Sequence, residues 1–428
     1  MKLLCRTGWI CLAAFILLLE LGCGEQYRPV ANPVIGPGGQ PQPTHYAYVV
    51  NNNPAGNGSL MQVNVSGDSV TAVQSTGLGS NYAAFPNNSA AAVFITNGGA
   101  DSVSVYNITA PGVVTTINLL PGSHPVAIAT AQNGFMYVLN SGPNSACPNG
   151  GSVSTISTAS LAVSNTACLA IEVSPGVFNY GLNPIALVQA AGGGRIYAIS
   201  QGDNSVWALD PASQSVVADF TMANGIGLNP VFLVSSRDGA YIFVVTEGDG
   251  LSQGALNIIS TSNYSVVPSV PLGIRPTFAF FDPTLVRLYV TNSGSNTVSI
   301  FDASNVNING SPAVPLLGTT PVGSNPISVT ALPNGTRFFV ANSGSNDVTD
   351  ASATSFAVLN TIPLPSGSNP VWIASEPTST KVYVANQSTT SVIQTVNDAV
   401  AVNIPAPAQN LNCTSSCALQ QPVMIITN

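Results

Sequence analysis

The sequence predicts an all-β fold, a single ring of four-stranded blades known as a β-propeller, and three observations carry that prediction. A short aromatic strand recurs eight times, beginning at Tyr48, Phe94, Tyr137, Tyr197, Phe243, Tyr289, Phe339 and Tyr383, at a step of about 48 residues. A fixed period in this range marks a solenoid or a propeller, and room for four short strands per unit favours the propeller. An X-Pro element followed by an apolar run precedes most of these strands by about 10 to 15 residues. Finally, charged residues make up only 6% of the chain against 45% hydrophobic ones. Such a composition fits a packed β globule rich in turns and argues against disorder.

The clearest copy of the repeat is residues 286–302, Val-Arg-Leu-Tyr-Val-Thr-Asn-Ser-Gly-Ser-Asn-Thr-Val-Ser-Ile-Phe-Asp. Tyr289 and Thr291 alternate with Val290 and Asn292, the two-residue period of a strand. Ser293, Gly294, Ser295 and Asn296 supply turn chemistry, because Gly and Asn accept the positive φ of a tight reversal. The X-Pro element starts with His124, Asn183, Asn229, Arg275, Asn325, Asn369 and Gln421, with a degenerate copy at Asn81. Proline suits the first position of a strand, where its missing N–H costs no ladder bond. Turns after the third strand, such as those at Asp210 and Asp302, use the Asp carboxylate to hold the reversal.

The ends of the chain complete one another. The first aromatic strand lacks an X-Pro strand before it, and the last X-Pro strand, from Pro422, has nothing after it. The C-terminal strand is therefore expected to become the innermost strand of the first blade, removing two open sheet edges. Eight aromatic strands and eight inner strands give eight blades; seven is the alternative count.

The Tyr-Val-Thr-Asn run at residues 289–292, with its Ser-Gly-Ser-Asn turn and return strand, resembles the YVTN-type β-propeller repeat of bacterial and archaeal envelope proteins. That group is similar to the lactonase-like propellers. The resemblance spans residues 46–428 and implies the fold, whereas function varies widely within one fold.

The first 44 residues read as an address and a tether. Lys2 and Arg6 precede an apolar stretch at residues 8–19 and a small-residue exit at Gly22-Cys23. This is a secretory signal over residues 1–22, too short for a stable membrane span. Leu19-Glu20-Leu21-Gly22-Cys23 resembles the bacterial lipobox, which implies lipidation of Cys23, although Glu20 stands where an aliphatic residue is usual. An ordinary cleaved signal is the alternative. Residues 23–44 carry five prolines and form a solvated tether, and residues 45–428 form the propeller. Cys147, Cys168, Cys413 and Cys417 suggest two disulfides in an exported domain. Cys147 and Cys168 flank antiparallel strands at one end of a blade, which pairs them and leaves Cys413 with Cys417.

Chemistry is sought where the repeat is broken. With 17 acidic against 9 basic residues and no basic run, nucleic acid is not an expected partner. Arg195, Arg287, Arg337 and Lys381 each lie two residues before an aromatic position, and that regularity assigns them a structural role. The residues before the prolines should ring one mouth of the central channel. There Asn183, Asn229, Asn325 and Asn369 are the default, while His124 and Arg275 introduce a titratable group and a fixed cation. A polar mouth of this kind could bind an anionic or carbonyl-bearing ligand; repeat drift is the plainer reading. A single histidine well inside the domain cannot build a multi-histidine metal site, and no nucleophile elbow or phosphate loop occurs. No cofactor, no metal and no catalytic set is expected, and nothing in the sequence places a glutamate beside Arg275. The favoured function is a monomeric, membrane-tethered envelope module that binds or scaffolds a protein, glycan or small ligand. A lactonase-like hydrolase is the alternative.

Overall fold

The computed structural model describes residues 45–428 except 87–90, 109–111, 113, 131–133, 311 and 411–416. The signal, the tether, Cys23 and Cys413 lie outside the described residues. Eight four-stranded antiparallel sheets form the molecule. Their inner strands, taken as blades 1 to 8, are Gln421–Thr427, Ser80–Ala84, Pro125–Thr130, Pro184–Gln189, Pro230–Ser235, Pro276–Asp282, Pro326–Ala331 and Trp372–Ser375. Each inner strand touches the next, and the last touches the first, so the ring is closed. A small extra hairpin, Ala170–Ser174 with Val177–Tyr180, lies between blades 3 and 4.

The ring closes as the chain ends predict. Tyr46–Asn52 pairs on one side with Asn57–Asn64 and on the other with Gln421–Thr427. His45 Nδ1 donates to the Asn428 carbonyl and the Tyr46 N–H to Asn428 Oδ1, both at 2.8 Å. Every backbone edge that the split first blade would expose is thus paired.

In blades 2 and 6 a buried Asn at the end of the second strand ties three segments together. In blades 1, 3, 7 and 8 the equivalent Asn51, Asn140, Asn342 and Asn386 bond the third strand through Nδ2, and their buried Oδ1 has no partner among the described residues. In blade 6, Asn292 Nδ2 donates to the hydroxyls of Thr297 and Ser299 (3.1 and 3.0 Å) on the third strand. Asn292 Oδ1 accepts the Gly273 N–H (3.0 Å) of the segment arriving from blade 5. Asn97 does the same in blade 2 with Ser102, Ser104 and Gly77. The approach is close: a Cβ on Gly273 would stand 2.7 Å from Asn292 Cβ, so only glycine fits there. Blades 4 and 5, where the motif weakens, solve the problem differently. In blade 5 the residues are exchanged, with Thr246 in the Asn place and Asn257 on the third strand donating to its hydroxyl (2.9 Å). In blade 4 the buried Trp207 takes the third-strand place and donates to Ser205 (2.7 Å).

The repeat cations clamp neighbouring blades at the opposite face of the ring. The Arg195 guanidinium lies 5.0 Å from the Tyr264 ring of blade 5. Arg287 donates to the Ala353 carbonyl and lies 5.3 Å from the Phe356 ring in blade 7. Arg337 bridges Asp350 of its own blade and Asp398 of blade 8, each at 2.7 Å. Lys381 reaches Asp68 of blade 1 at 2.7 Å and secures the closure. Each is a blade-to-blade contact, which explains the fixed position in the repeat. Buried Glu376 holds the turn beside Lys381, accepting the Thr378 N–H (2.6 Å), the Lys381 N–H (3.1 Å) and two threonine hydroxyls. Burial alone would raise its pKa, but the bonds from Thr378 and Thr380 outweigh burial and hold it below its ordinary 4.5.

The Cys147–Cys168 disulfide is present, with Cα atoms 5.2 Å apart, and joins the long turn of blade 3 to its outer strand. Cys417 is also disulfide-bonded.

Two outcomes are expected. Asn292→Ala leaves the Gly273 N–H and two hydroxyls without their partner, and urea denaturation should show a loss of about 2–4 kcal/mol. A loss below about 0.5 kcal/mol would mean that the amide does not hold the blade. For Glu376 the folded pKa is depressed, so its stabilisation is present above about pH 4.5 and fades as pH falls. The stability gap between wild type and Glu376→Gln should therefore be largest near neutrality and shrink below pH 4.5, and a gap independent of pH would contradict this.

Candidate functional site

The residues before the prolines gather at one mouth of the channel, on the face that also carries the turns between second and third strands. Their backbone explains the asparagines. His124, Asn183, Asn229, Arg275, Asn325 and Asn369 all have φ between 44° and 56°, the left-handed region that Asn tolerates better than most residues. The backbone conformation is thus the reason Asn is the default at these positions. The same criterion corrects the ring in blade 2. Gly79 (φ 71°) occupies the pre-proline place there, and its carbonyl accepts the Gly98 N–H as the His124 carbonyl accepts that of Ser141. Asn81 lies two residues deeper, at the bulge that follows the proline place in most blades.

In the turn of the clearest repeat, Asn296 takes the positive φ (53°) that the sequence expects of Gly or Asn. Gly294 is needed for space, since a Cβ there would meet Ile274 at 2.8 Å. The turn residue has a further task that the sequence analysis missed. Asn296 Oδ1 accepts the Asn325 N–H (2.9 Å), Asn346 that of Asn369 (2.8 Å), Asn204 that of Asn229 (2.7 Å), and Asp101 that of His124 (2.7 Å). Each turn thus fixes the rim residue of the next blade. The signal was available as a polar residue recurring 23 to 29 positions before the rim residue.

The rim side chains bond within their own blades. Asn325 donates to Ser343 (2.6 Å) and Asn369 to Gln387 (3.0 Å). In blade 5 the corresponding partner is Glu247, which accepts from Asn229 (2.5 Å) and from Arg275 Nε of blade 6 (3.3 Å). A glutamate therefore does stand beside Arg275, contrary to the sequence reading, which could not align Glu247 with the residue following each strand's terminal Asn. Arg275 remains 57% exposed, while Glu247 is 21% exposed. His124, 59% exposed, stands 3.9 Å from Asp101, and its Nδ1 donates to the Gly98 carbonyl (3.0 Å). It lies three blades from Arg275, so the structure does not bring the two together.

Below the rim aromatic side chains reach into the channel. Two residues after the proline place, Phe232, Phe278, Trp372 and Tyr82 meet in a chain. Ring centroids are 4.5 Å apart for Phe232–Phe278, 5.3 Å for Phe278–Trp372 and 6.2 Å for Trp372–Tyr82. The last two contacts are near-perpendicular, an arrangement aromatic quadrupoles favour. They skip blades 7 and 1 and so cross the channel, with small Ser328 in the same place in blade 7 leaving room. Rim and plug together form a bowl whose wall holds half-buried Val126, Ile185, Val231 and Ile327 and exposed Val371.

No family model matches the chain, and no curated protein matches it. Solved structures do. Dihydro-heme d1 dehydrogenase NirN, in complex with DHE, superposes with a TM-score of 0.69 at 11% identity, covering 94% of this chain and 79% of its own. Apo AztD from Citrobacter koseri gives 0.59 at 12% identity over 90% of this chain and 98% of its own. Kuenenia stuttgartiensis hydrazine synthase gives 0.53 at 21% identity over 71% and 94%. At these identities the likeness shows the fold, an eight-bladed β-propeller of four-stranded blades, and no more.

The Glu247–Arg275 pair is too exposed to be structural, since such pairs contribute about 0–1 kcal/mol. Glu247→Gln should shift the urea midpoint by no more than that scale permits. A loss above about 2 kcal/mol would make the pair part of the frame.

Proposed function

We propose that the chain is an exported, membrane-tethered, monomeric propeller of the YVTN-repeat kind that binds a carboxylate-bearing ligand in the bowl beside Arg275. The single observation that carries the reading is a half-exposed guanidinium, positioned by Glu247, on a rim above half-buried aliphatic and aromatic side chains. A ligand carboxylate can replace Glu247 on the guanidinium, while the aliphatic wall receives its apolar part. Asn183, Asn325 and Asn369 complete a neutral rim, and His124 is engaged with the Gly98 carbonyl and Asp101 of the neighbouring blade 2. The tether at residues 23–44 and the lipobox-like residues before Cys23 support attachment at the cell envelope, where the disulfide is also at home.

The test is calorimetric titration with small carboxylates and uronic-acid oligosaccharides. Arg275→Ala should weaken binding at least tenfold, since losing a charge-assisted bond costs about 1.5–3 kcal/mol. His124→Ala should leave it within twofold. Equal affinity in wild type and Arg275→Ala would end this reading. A second reading is favoured by the Glu247 carboxylate beside Arg275: hydrolysis of a lactone at the same place. Turnover in a lactone panel, abolished by Glu247→Gln, would establish it.

A further inference from the structure

Beyond the aromatic plug, on the side away from the rim, the channel opens into a cavity of about 380 Å³. Small side chains leave it room: Ala83, Ala84, Ala129, Ala190 and Ala191 line it. Ile128, Leu187 and Met424 supply an apolar lining, and Tyr82, Thr130 and Gln189 supply polar groups. None of the lining residues is charged. Met424 is fixed there, its sulfur accepting the Ala83 N–H at 3.2 Å. Gln189 is committed to the Gly194 carbonyl at 3.0 Å. The hydroxyls of Tyr82 and Thr130 find no hydrogen-bond partner among the described residues.

We infer that this cavity is a second binding site, separate from the bowl, for a neutral and largely apolar small molecule with one or two hydrogen-bonding groups. The volume falls in the range of small-molecule pockets. Burying apolar surface against the lining drives entry. A charged ligand would lose its hydration with nothing in the wall to replace it. The Tyr82 and Thr130 hydroxyls give a polar atom of the ligand a partner and so orient it. Burial pushes the Tyr82 hydroxyl up to about 12, so it remains a donor throughout the physiological range. The cavity shares no lining residue with the rim around Arg275, and the inference is independent of what the bowl binds.

The test uses two fluorescent probes of nearly the same skeleton, neutral N-phenyl-1-naphthylamine and anionic 1-anilinonaphthalene-8-sulfonate, on the purified chain. The neutral probe should bind saturably at one site, and the anionic one at least tenfold more weakly. Ala129→Phe, which fills the cavity, should abolish binding. Leu251→Ser, which alters the exposed leucine on the rim face, should leave it unchanged. No saturable binding, equal binding of the two probes, retention in a folded Ala129→Phe protein, or loss in Leu251→Ser would each overturn the assignment. Should Ala129→Phe fail to fold, Tyr82→Phe decides: the cavity keeps its shape, and affinity should fall two- to tenfold, whereas an unchanged affinity contradicts the site.

Discussion

Asn292 is wholly buried, yet its amide bonds two hydroxyls of the next strand and a backbone N–H delivered from the preceding blade. A buried amide without partners would cost more than the net gain from any one of these bonds. In blades 2 and 6 the packing of the blade is therefore conditional on the arrival of its neighbour's chain at a fixed place. There the arriving position must be glycine, because any Cβ would strike the Asn. In four other blades the Asn bonds the third strand and no arriving segment among the described residues. Thr246 and Asn257 in blade 5 show that the geometry matters more than the residue, since the hydroxyl and amide have changed strands and the bond survives.

Eight inner strands enclose a channel too wide for one side chain to fill. Aromatic rings from blades 5, 6, 8 and 2 reach into it past smaller neighbours. They stand between two regions of different chemistry. One has a rim of amides with a single exposed guanidinium, and the other has an uncharged lining. Repetition makes the frame, and substitutions at repeated positions make each region particular: Arg275 and Glu247 on the rim, Ala127 and Ala186 at the level of the aromatic rings.

The frame was legible because period and turn chemistry survive in the sequence even where individual copies decay. Closure by the C-terminal strand followed from counting the inner strands, and the pairing of Cys147 with Cys168 followed from strand direction. What was not legible depends on register. Asn81 looked like a rim residue, but a bulge displaces it and Gly79 takes the rim conformation. Nothing in the sequence placed Glu247 beside Arg275, because its partners, Asn229 and Arg275, lie 18 and 28 residues away. The plug was invisible for the same reason: Phe278 and Trp372 become neighbours only when ring closure turns the inner strands of blades 6 and 8 toward one axis.

The most direct measurement of this account is the water structure along the ring axis in crystals of the chain. The meeting of Phe232, Phe278, Trp372 and Tyr82 in the channel predicts ordered water in the bowl and none through the aromatic layer. A continuous file of water from one face to the other, with the four rings turned aside, would contradict the division into two regions.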